Sequence, residues 1–599
     1  MFASFKIPSD SIGSRLTTGD NVLGIATGRI YCRKFRRERF LHKKRGDSIT
    51  LLKDKINSIK KIFISEINIL AFFLMACTSP DDKRLEQSLL FSNNNRNELK
   101  MKYKGYIWLL LFIIACSSNR NKSLEYALQA ADKNRDELIS VLNHYKDDSL
   151  KLAAACFLIE NMPYHFSQEE YFISTKGERH RPDISTFNGD KAVQIHCDSL
   201  LRSGYRIERQ KKYDISTLDS NYLINNIELA FAVWQKPWAK DISFTDFCRC
   251  ILPYRAQTEK VSNLRKEIME RFLPVLDSAK VKTPLDACII LNKKFREVME
   301  YKETGLPFYP TIDETYRSGR GLCEGLCNTG TFIMRAVGIP VAVEQTIWVK
   351  MDLGHDWCTV LDNGKFYSFD PCGQQPGLQA KEYSELRHLR PAKVYRNRFD
   401  PIFTQIDKND DRYITYLKSP LLQDVTDEYL NKPTQVVITL DKSNIKNKRA
   451  SQVYLCTYNY YEWQPIAIGY RNDSTCYFNN VVGDNIFIVA DSPEKDGLRY
   501  ITAPFYISEN GKIHKFIPQK ANKKIFTMNK RKNKLKQEHT LHYWDTDKSR
   551  FVALSYVSST DTTQTYDQIP GNALLWFTIP ERIVNQRIFF IENDSIKTY

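Results

Sequence analysis

Two stretches of this chain hold side chains able to act as nucleophile and base. The first runs from Ser318 through Gly319, Gly321 and Cys323 to Gly338, Ile339 and Pro340. Glycine at a helix end with proline just beyond it is a stop signal, so a Gly-rich turn delivers Cys323 to the start of a helical run that ends at Gly338. A thiol in the first turn of a helix meets the positive end of the helix dipole, which favours thiolate and hence nucleophilicity.

The second stretch, Gly354 to Pro371, predicts a hairpin closed by Asn363-Gly364, a favoured two-residue turn. With that loop Asp362 faces Lys365, Trp357 opposes Asp370 and His355 opposes Cys372. Side chains alternate along each strand, so His355 and Asp370 emerge on one face as diagonal neighbours within reach. An imidazole oriented by a carboxylate is the base that an activated thiol needs.

The ordered motifs Gly-x-Cys323, Arg335-Ala-x-Gly-Ile-Pro340, Gly354-His-x-Trp357 and Asp370-Pro371 resemble the transglutaminase-like superfamily of papain-type Cys-His-Asp folds. The resemblance spans roughly residues 305–375. It implies that Cys323 is the nucleophile, His355 the base and Asp370 the orienting acid. Gly321 and Trp357 become candidate cleft residues, and Cys327, one helical turn on, is expected to pack. Asn161-Met-Pro-Tyr-His-Phe166, Ser243-Phe-x-x-Phe-Cys248 and Leu252-Pro-Tyr-Arg255 are similar to stretches in transglutaminase-like lipoproteins of gut-type Bacteroidetes.

The elements that must position these groups divide the chain. Apolar residues at helical spacing from Leu124 to Leu158, then Leu223–Trp234, Glu259–Ala279 and Pro284–Met299, predict a helical region over 116–300, with Asp147, Asp148 and Ser149 as capping candidates. The aromatic segment 236–255 reads as core in preference to a cleft wall. Residues 301–395 form the expected transglutaminase-like core. Beyond it, short Val/Ile/Tyr/Phe runs separated by turn residues predict an antiparallel β-sandwich over 415–525 and a second β-rich module over 530–599. Lys523–Lys536 is the expected linker between them. Tyr460, Trp463 and Trp544 suit sugar stacking or, preferred here, packing. The fold class is therefore α+β: a helical N-terminal region, a papain-like core and C-terminal sandwich modules.

The formal charge of +17 is concentrated upstream, where residues 1–115 hold a net +11 and leave +6 for the remainder. No nucleic-acid-binding fold accompanies the basic run 33–45, so a nucleic-acid partner is not expected. Lys102 and Lys104, an apolar run and Ile113-Ile-Ala-Cys116 have the form of an export signal, and the last four residues resemble a bacterial lipobox, which implies lipid on Cys116. A poorer copy ends at Cys77, and Leu85–Leu99 aligns without gaps on Leu124–Leu138. Residues 1–100 thus read as a decayed or spurious duplicated leader, poorly ordered, with Met101 the true start and 101–115 the signal peptide. The fourteen cysteines show no zinc-type pairing, and His165, His180 and His196 lack metal spacing. No metal or organic cofactor is suggested.

The expected protein is an exported, lipid-anchored thiol acyl-transfer enzyme of the bacterial cell envelope, on the periplasmic or surface face of the outer membrane. Its substrate would be a protein, peptide or glycopeptide, with hydrolysis favoured over crosslinking. The alternative is a catalytically silent binding or scaffold lipoprotein for protein or glycan. The lipobox makes one prediction of its own: Cys116→Ala leaves the protein soluble or unprocessed, whereas the parent partitions with membranes and its first mature residue is Cys116 by mass spectrometry.

Overall fold

The computed structural model describes residues 122–599 apart from 353, 383–389, 403–416, 418, 431–433, 441–451, 492–497, 531–537 and 580–586. The duplicated leader, signal peptide and Cys116 lie outside the described residues. Among the described residues, no helix is long and apolar enough to cross a membrane.

Helices Arg135–His144, Ser149–Asn161, Ser220–Trp234 and Phe244–Cys250 bury Leu138, Val141, Leu158, Ile227 and Phe247 in one core. Asp148 is the cap of the second of these, its Oδ1 accepting the N–H groups of Leu150 (3.2 Å) and Lys151 (3.0 Å). The aromatic segment packs as expected, with Trp238, Phe247 and Tyr254 at most 2% exposed. The region is not wholly helical, however: Phe166–Ile173 is flanked by Arg179–His180 and Arg206–Tyr213 in a three-stranded antiparallel sheet. Arg206–Tyr213 has almost no apolar residue to reveal it. What holds it is cross-strand chemistry, Glu169 with Lys212 at 2.6 Å and Glu170 with Arg209 at 2.5 Å.

The helix expected from Glu259 begins later, as Arg265–Ala279. The reason is that the Glu259 carboxylate accepts the N–H groups of Ala256 (2.5 Å) and Gln257 (2.7 Å), turning the chain there. Arg255 clamps this turn from beneath, donating to both Asp214 oxygens at 2.6 and 2.7 Å. Helix Cys323–Ala336 then ends before Gly338, whose φ of 83° supplies the left-handed stop.

Behind that helix lies a six-stranded antiparallel sheet in the order Leu422–Asp424, Pro391–Asn397, Val341–Trp348, Gly354–Asp362, Lys365–Phe369, Leu378–Gln379. The core sheet thus extends past residue 395, because a later strand returns to its edge. One face carries Val341, Val343, Cys358, Val360 and Phe369 against Leu326, Ile333, Phe272, Leu291 and Phe295 of the helices. The other buries Glu344, which accepts from Trp357 Nε1 at 2.9 Å, from Arg396 Nε at 2.7 Å and from the Tyr429 hydroxyl. Arg396 also forks onto Glu428 at 2.9 and 2.7 Å.

The C-terminal region is built of antiparallel strands, as expected, with Thr475–Val481 and Thr563–Gly571 in addition to the expected runs. Thr434–Thr439, Gln452–Asn459, Glu462–Asn472, Thr475–Val481 and Asn485–Asp491 belong to an eight-stranded antiparallel sheet. A five-stranded sheet holds Glu538–Asp545, Arg550–Ser558, Leu575–Thr578, Phe589–Glu592 and Ser595–Thr598. The second module has its own core of Phe526, Leu541, Tyr566 and Phe577, yet Trp544, Leu574 and Phe590 pack into the core of the first. Trp463 and Trp544 are accordingly buried. Lys523–Asn529 is not a linker but part of strand Gln519–Asn529, with Phe526 and Met528 inward and the lysines between solvent and sheet.

Arg396→Met would leave Glu344 buried without its cation. A loss of about 3–5 kcal/mol is expected, read as a lower urea midpoint, and adding Glu344→Gln should recover most of it because the orphan charge is then gone.

Candidate active site

Cys323 is the first residue of its helix, preceded by extended Leu322, and no side chain caps that end. The first N–H groups of a helix have no carbonyl partner within it; the backbone N–H of Glu324, and that of Asp356 from the adjoining strand, favour the charged form of the Cys323 sulfur. The helix end is not the largest influence on the thiol. Burial first, then the Asp356 carboxylate, push the thiol up to about 12, with the two N–H groups opposing.

His355 opens strand Gly354–Asp362 and Asp370 follows strand Lys365–Phe369. The pairing has Asp362 on Lys365 and Cys358 on Phe369. Asn363 and Gly364, at φ 48° and 72°, make the turn. The structure brings the two side chains together, His355 Nε2 lying 3.1 Å from Asp370 Oδ1. With Nε2 donating there, a neutral imidazole keeps Nδ1 as its acceptor. No hydrogen bond joins Cys323 to His355 among the described residues.

Asp370 is itself held from a distant helix. Asn292, fully buried on Pro284–Val298, donates Nδ2 to the Asp370 carbonyl at 3.2 Å and accepts the Cys372 N–H at 3.2 Å. Behind the imidazole, Trp348 stacks at 5.8 Å and 27°. Trp357 does not line a cleft: it is 0% exposed, its indole N–H fixed on Glu344 and Tyr429. It lies on the face of the sheet that the Glu344 network closes, so it backs the site without meeting solvent. Gly321 is also buried, beside Thr315 and Leu326, where an added Cβ would approach within 3.3 Å. Cys327 is packed, as expected, at 1% exposure. His165 bonds the Phe399 carbonyl at 2.9 Å, and His180 meets His196 at 3.2 Å.

Residues that motif reading passed over complete the surroundings. Asp356 and Glu324 sit beside the thiol, and among the described residues no lysine or arginine pairs with either. Burial raises Asp356 to about 6, while the Gln257 amide and His355 pull it down. Burial, then Asp356 and Glu259, raise Glu324 to about 8 against a hydrogen bond from Tyr309. A cleft of about 280 Å³ opens next to them, lined in part by Tyr309, Glu324, Gly325, Asn328 and Glu259. Glu324 and Asp356 adjoin the motif residues in sequence, but only burial gives them their influence, and burial is not written in spacing. Among the described residues no group of three His, Cys, Asp or Glu side chains is placed to hold a metal.

The sequence model of the transglutaminase-like superfamily matches residues 276–371. Among solved structures, the chain is similar to a candidate cysteine protease from Cytophaga hutchinsonii, at 15% identity and a TM-score of 0.15 over 24% of this chain and 55% of that one. It is also similar to LapG of Legionella pneumophila, in an EGTA-treated form, at 13% identity and a TM-score of 0.18 over 34% of this chain and 93% of that one. The chain therefore spans just over half the length of the first. No curated protein matches it.

The carboxyl of Glu324 gives a pH-dependent prediction. Well below pH 8 it already carries its proton, so Glu324→Gln should leave iodoacetamide alkylation of Cys323 unchanged at pH 6.5. Above pH 8 its negative charge holds the thiol up, so the same substitution should speed alkylation at pH 9. Peptide-resolved mass spectrometry reads both rates, and an equal effect at the two pH values would contradict the electrostatic cause.

Proposed function

We propose that this transglutaminase-like domain is a thiol acyl-transfer enzyme, an amide or peptide hydrolase, carried by a lipid-anchored envelope protein. The observation that carries the reading is the 3.1 Å contact of His355 Nε2 with Asp370 Oδ1 beside a helix start that presents Cys323. Substrate approach brings His355 Nδ1 to the thiol, takes the Sγ–H proton and frees the sulfur to attack the substrate carbonyl carbon. The oxyanion is received by N–H groups at the start of helix Cys323–Ala336, where the dipole favours negative charge. The imidazolium returns its proton to the leaving nitrogen as the C–N bond breaks, and a thioester remains. Water, deprotonated by His355, then attacks that thioester, releasing a carboxylic acid and the Cys323 thiol.

Asp370 keeps Nδ1 as the acceptor in the neutral imidazole and stabilises the imidazolium once Nδ1 has taken the proton. A cleft beside Glu324 gives a protein or peptide substrate room next to the helix that begins at Cys323. Burial and the Asp356 carboxylate, which work against thiolate at Cys323, support one second reading, a fold retained for binding without turnover.

The test uses the purified full chain with a pool of quenched-fluorescent peptides. Hydrolysis should vanish in Cys323→Ala, and added hydroxylamine should trap the acyl group as a hydroxamate. Asp370→Asn should keep the fold and lose on the order of 10²–10⁴-fold in kcat, since the imidazole loses its tautomer but the thiol remains. Parent activity no greater than that of Cys323→Ala would establish the binding reading instead.

A further inference from the structure

Strands Gln452–Asn459 and Glu462–Asn472 are joined by only two residues, because Asn459 pairs with Glu462. Those residues are Tyr460 and Tyr461, both left-handed at φ 49° and 65°. Such a turn is ordinarily filled by Asn-Gly, since a Cβ is strained at positive φ. Two adjacent tyrosines persist there only because their surroundings impose the conformation.

The surroundings are the loop that leads into His355. Tyr460 N–H donates to Asp352 Oδ1 at 3.0 Å, and Asn459 Nδ2 donates to the carbonyls of Met351 (2.8 Å) and Trp348 (3.3 Å). Arg587 binds Asp352 and donates to the carbonyls of Val349 (2.7 Å) and Tyr458 (2.6 Å). The tip of the C-terminal hairpin is thereby pinned three residues before the base, next to the Trp348 ring that stacks on it. Every one of these bonds to the hairpin uses backbone atoms or Asn459. None uses the Tyr460 side chain, which Asn could replace with less backbone strain.

That side chain is also unlike its neighbours. Tyr458 and Trp463 are 2% and 4% exposed, whereas Tyr460 is 51% exposed. It stands close enough to the active site for charge on Cys323 to hold its phenol above the ordinary range, after burial and Asp352.

We propose that Tyr460 contacts substrate: the strained hairpin tip, pinned to the loop before His355, holds its exposed ring as a wall on that side of the site, apart from the Glu324 cleft, against the apolar face of an acyl-donor peptide just before the scissile bond. This rests on the reading of Cys323 as nucleophile. A planar side chain with two torsions gives such contact area with little entropy lost on binding.

Two reagents separate the wall from the thiol. Iodoacetamide reports Cys323 itself, while a benzyloxycarbonyl-dipeptidyl chloromethyl ketone must seat its peptide before Cys323 Sγ displaces chloride and forms the thioether. In the full chain, Tyr460→Ala should slow the peptidyl reagent about tenfold or more and leave the iodoacetamide rate unaltered, and Tyr460→Phe should restore the parent rate. The pair Tyr460→Asn with Tyr461→Gly should slow the peptidyl reagent likewise while raising Tm by about 1–3 °C. Both reagents slowed alike, both unaffected, or both accelerated would overturn the wall, the last showing that Tyr460 shields the thiol. A lower Tm for the Asn-Gly pair would show that the tyrosines serve the fold. Failure of the parent Cys323 to react with either reagent would remove the nucleophile reading, and the wall with it.

Discussion

The contact between His355 and Asp370 depends on strand register. A slip of one residue in the hairpin would send one of the two side chains to the opposite face of the sheet. Register is therefore fixed more than once. Asn363 and Gly364 set it at the turn, and Trp357, paired across the adjoining strands with Glu344, locks it through the indole N–H. Asn292 holds the chain just past Asp370 by both a carbonyl and an N–H. His355 is thus placed by strands and Asp370 by a strand end clamped to a helix.

Desolvation dominates the electrostatics of this site. The helix dipole contributes modestly and falls off within one turn, whereas burial and Asp356 together raise the Cys323 thiol. The same Asp356 is lowered by His355, so one carboxylate faces both the thiol and the imidazole. Active-site hydrogen bonds are often loose before substrate arrives.

Much of this was legible in the residues. Asn363-Gly364 states its turn type outright, Gly338-Ile-Pro340 states a helix end, and alternating Val and Ile in 452–491 state strands. The polar strand Arg206–Tyr213 was not legible, because its partners are charges on a strand about forty residues away and its own composition suits a solvated helix equally well. Lys523–Asn529 misled in the same way: lysine and asparagine dominate, and only Phe526 and Met528 record the buried face. Trp357 suggested a cleft through its place in the Gly354-His-x-Trp357 motif, but its indole N–H meets Glu344 and Tyr429 and its ring is buried. Glu324 and Asp356 were visible as letters and invisible as influences, since their effect on Cys323 comes from the water they lack.

The C-terminal sheets bear on the site through polar bonds at one edge. An apolar junction between layers tolerates small sliding movements, but a buried Arg587 that binds Asp352 and two carbonyls tolerates little, because each displaced bond would strand a group without water. Asp352 stands three residues from His355, and Trp348 links the same loop to the imidazole ring. Coupling of this kind means that the β-rich end helps to set the position of His355, although Cys323, His355 and Asp370 all lie outside it. It also explains why backbone strain can be kept at Tyr460 and Tyr461: the loop that restrains them is itself restrained by a sheet, and relaxing the turn would loosen the approach to His355.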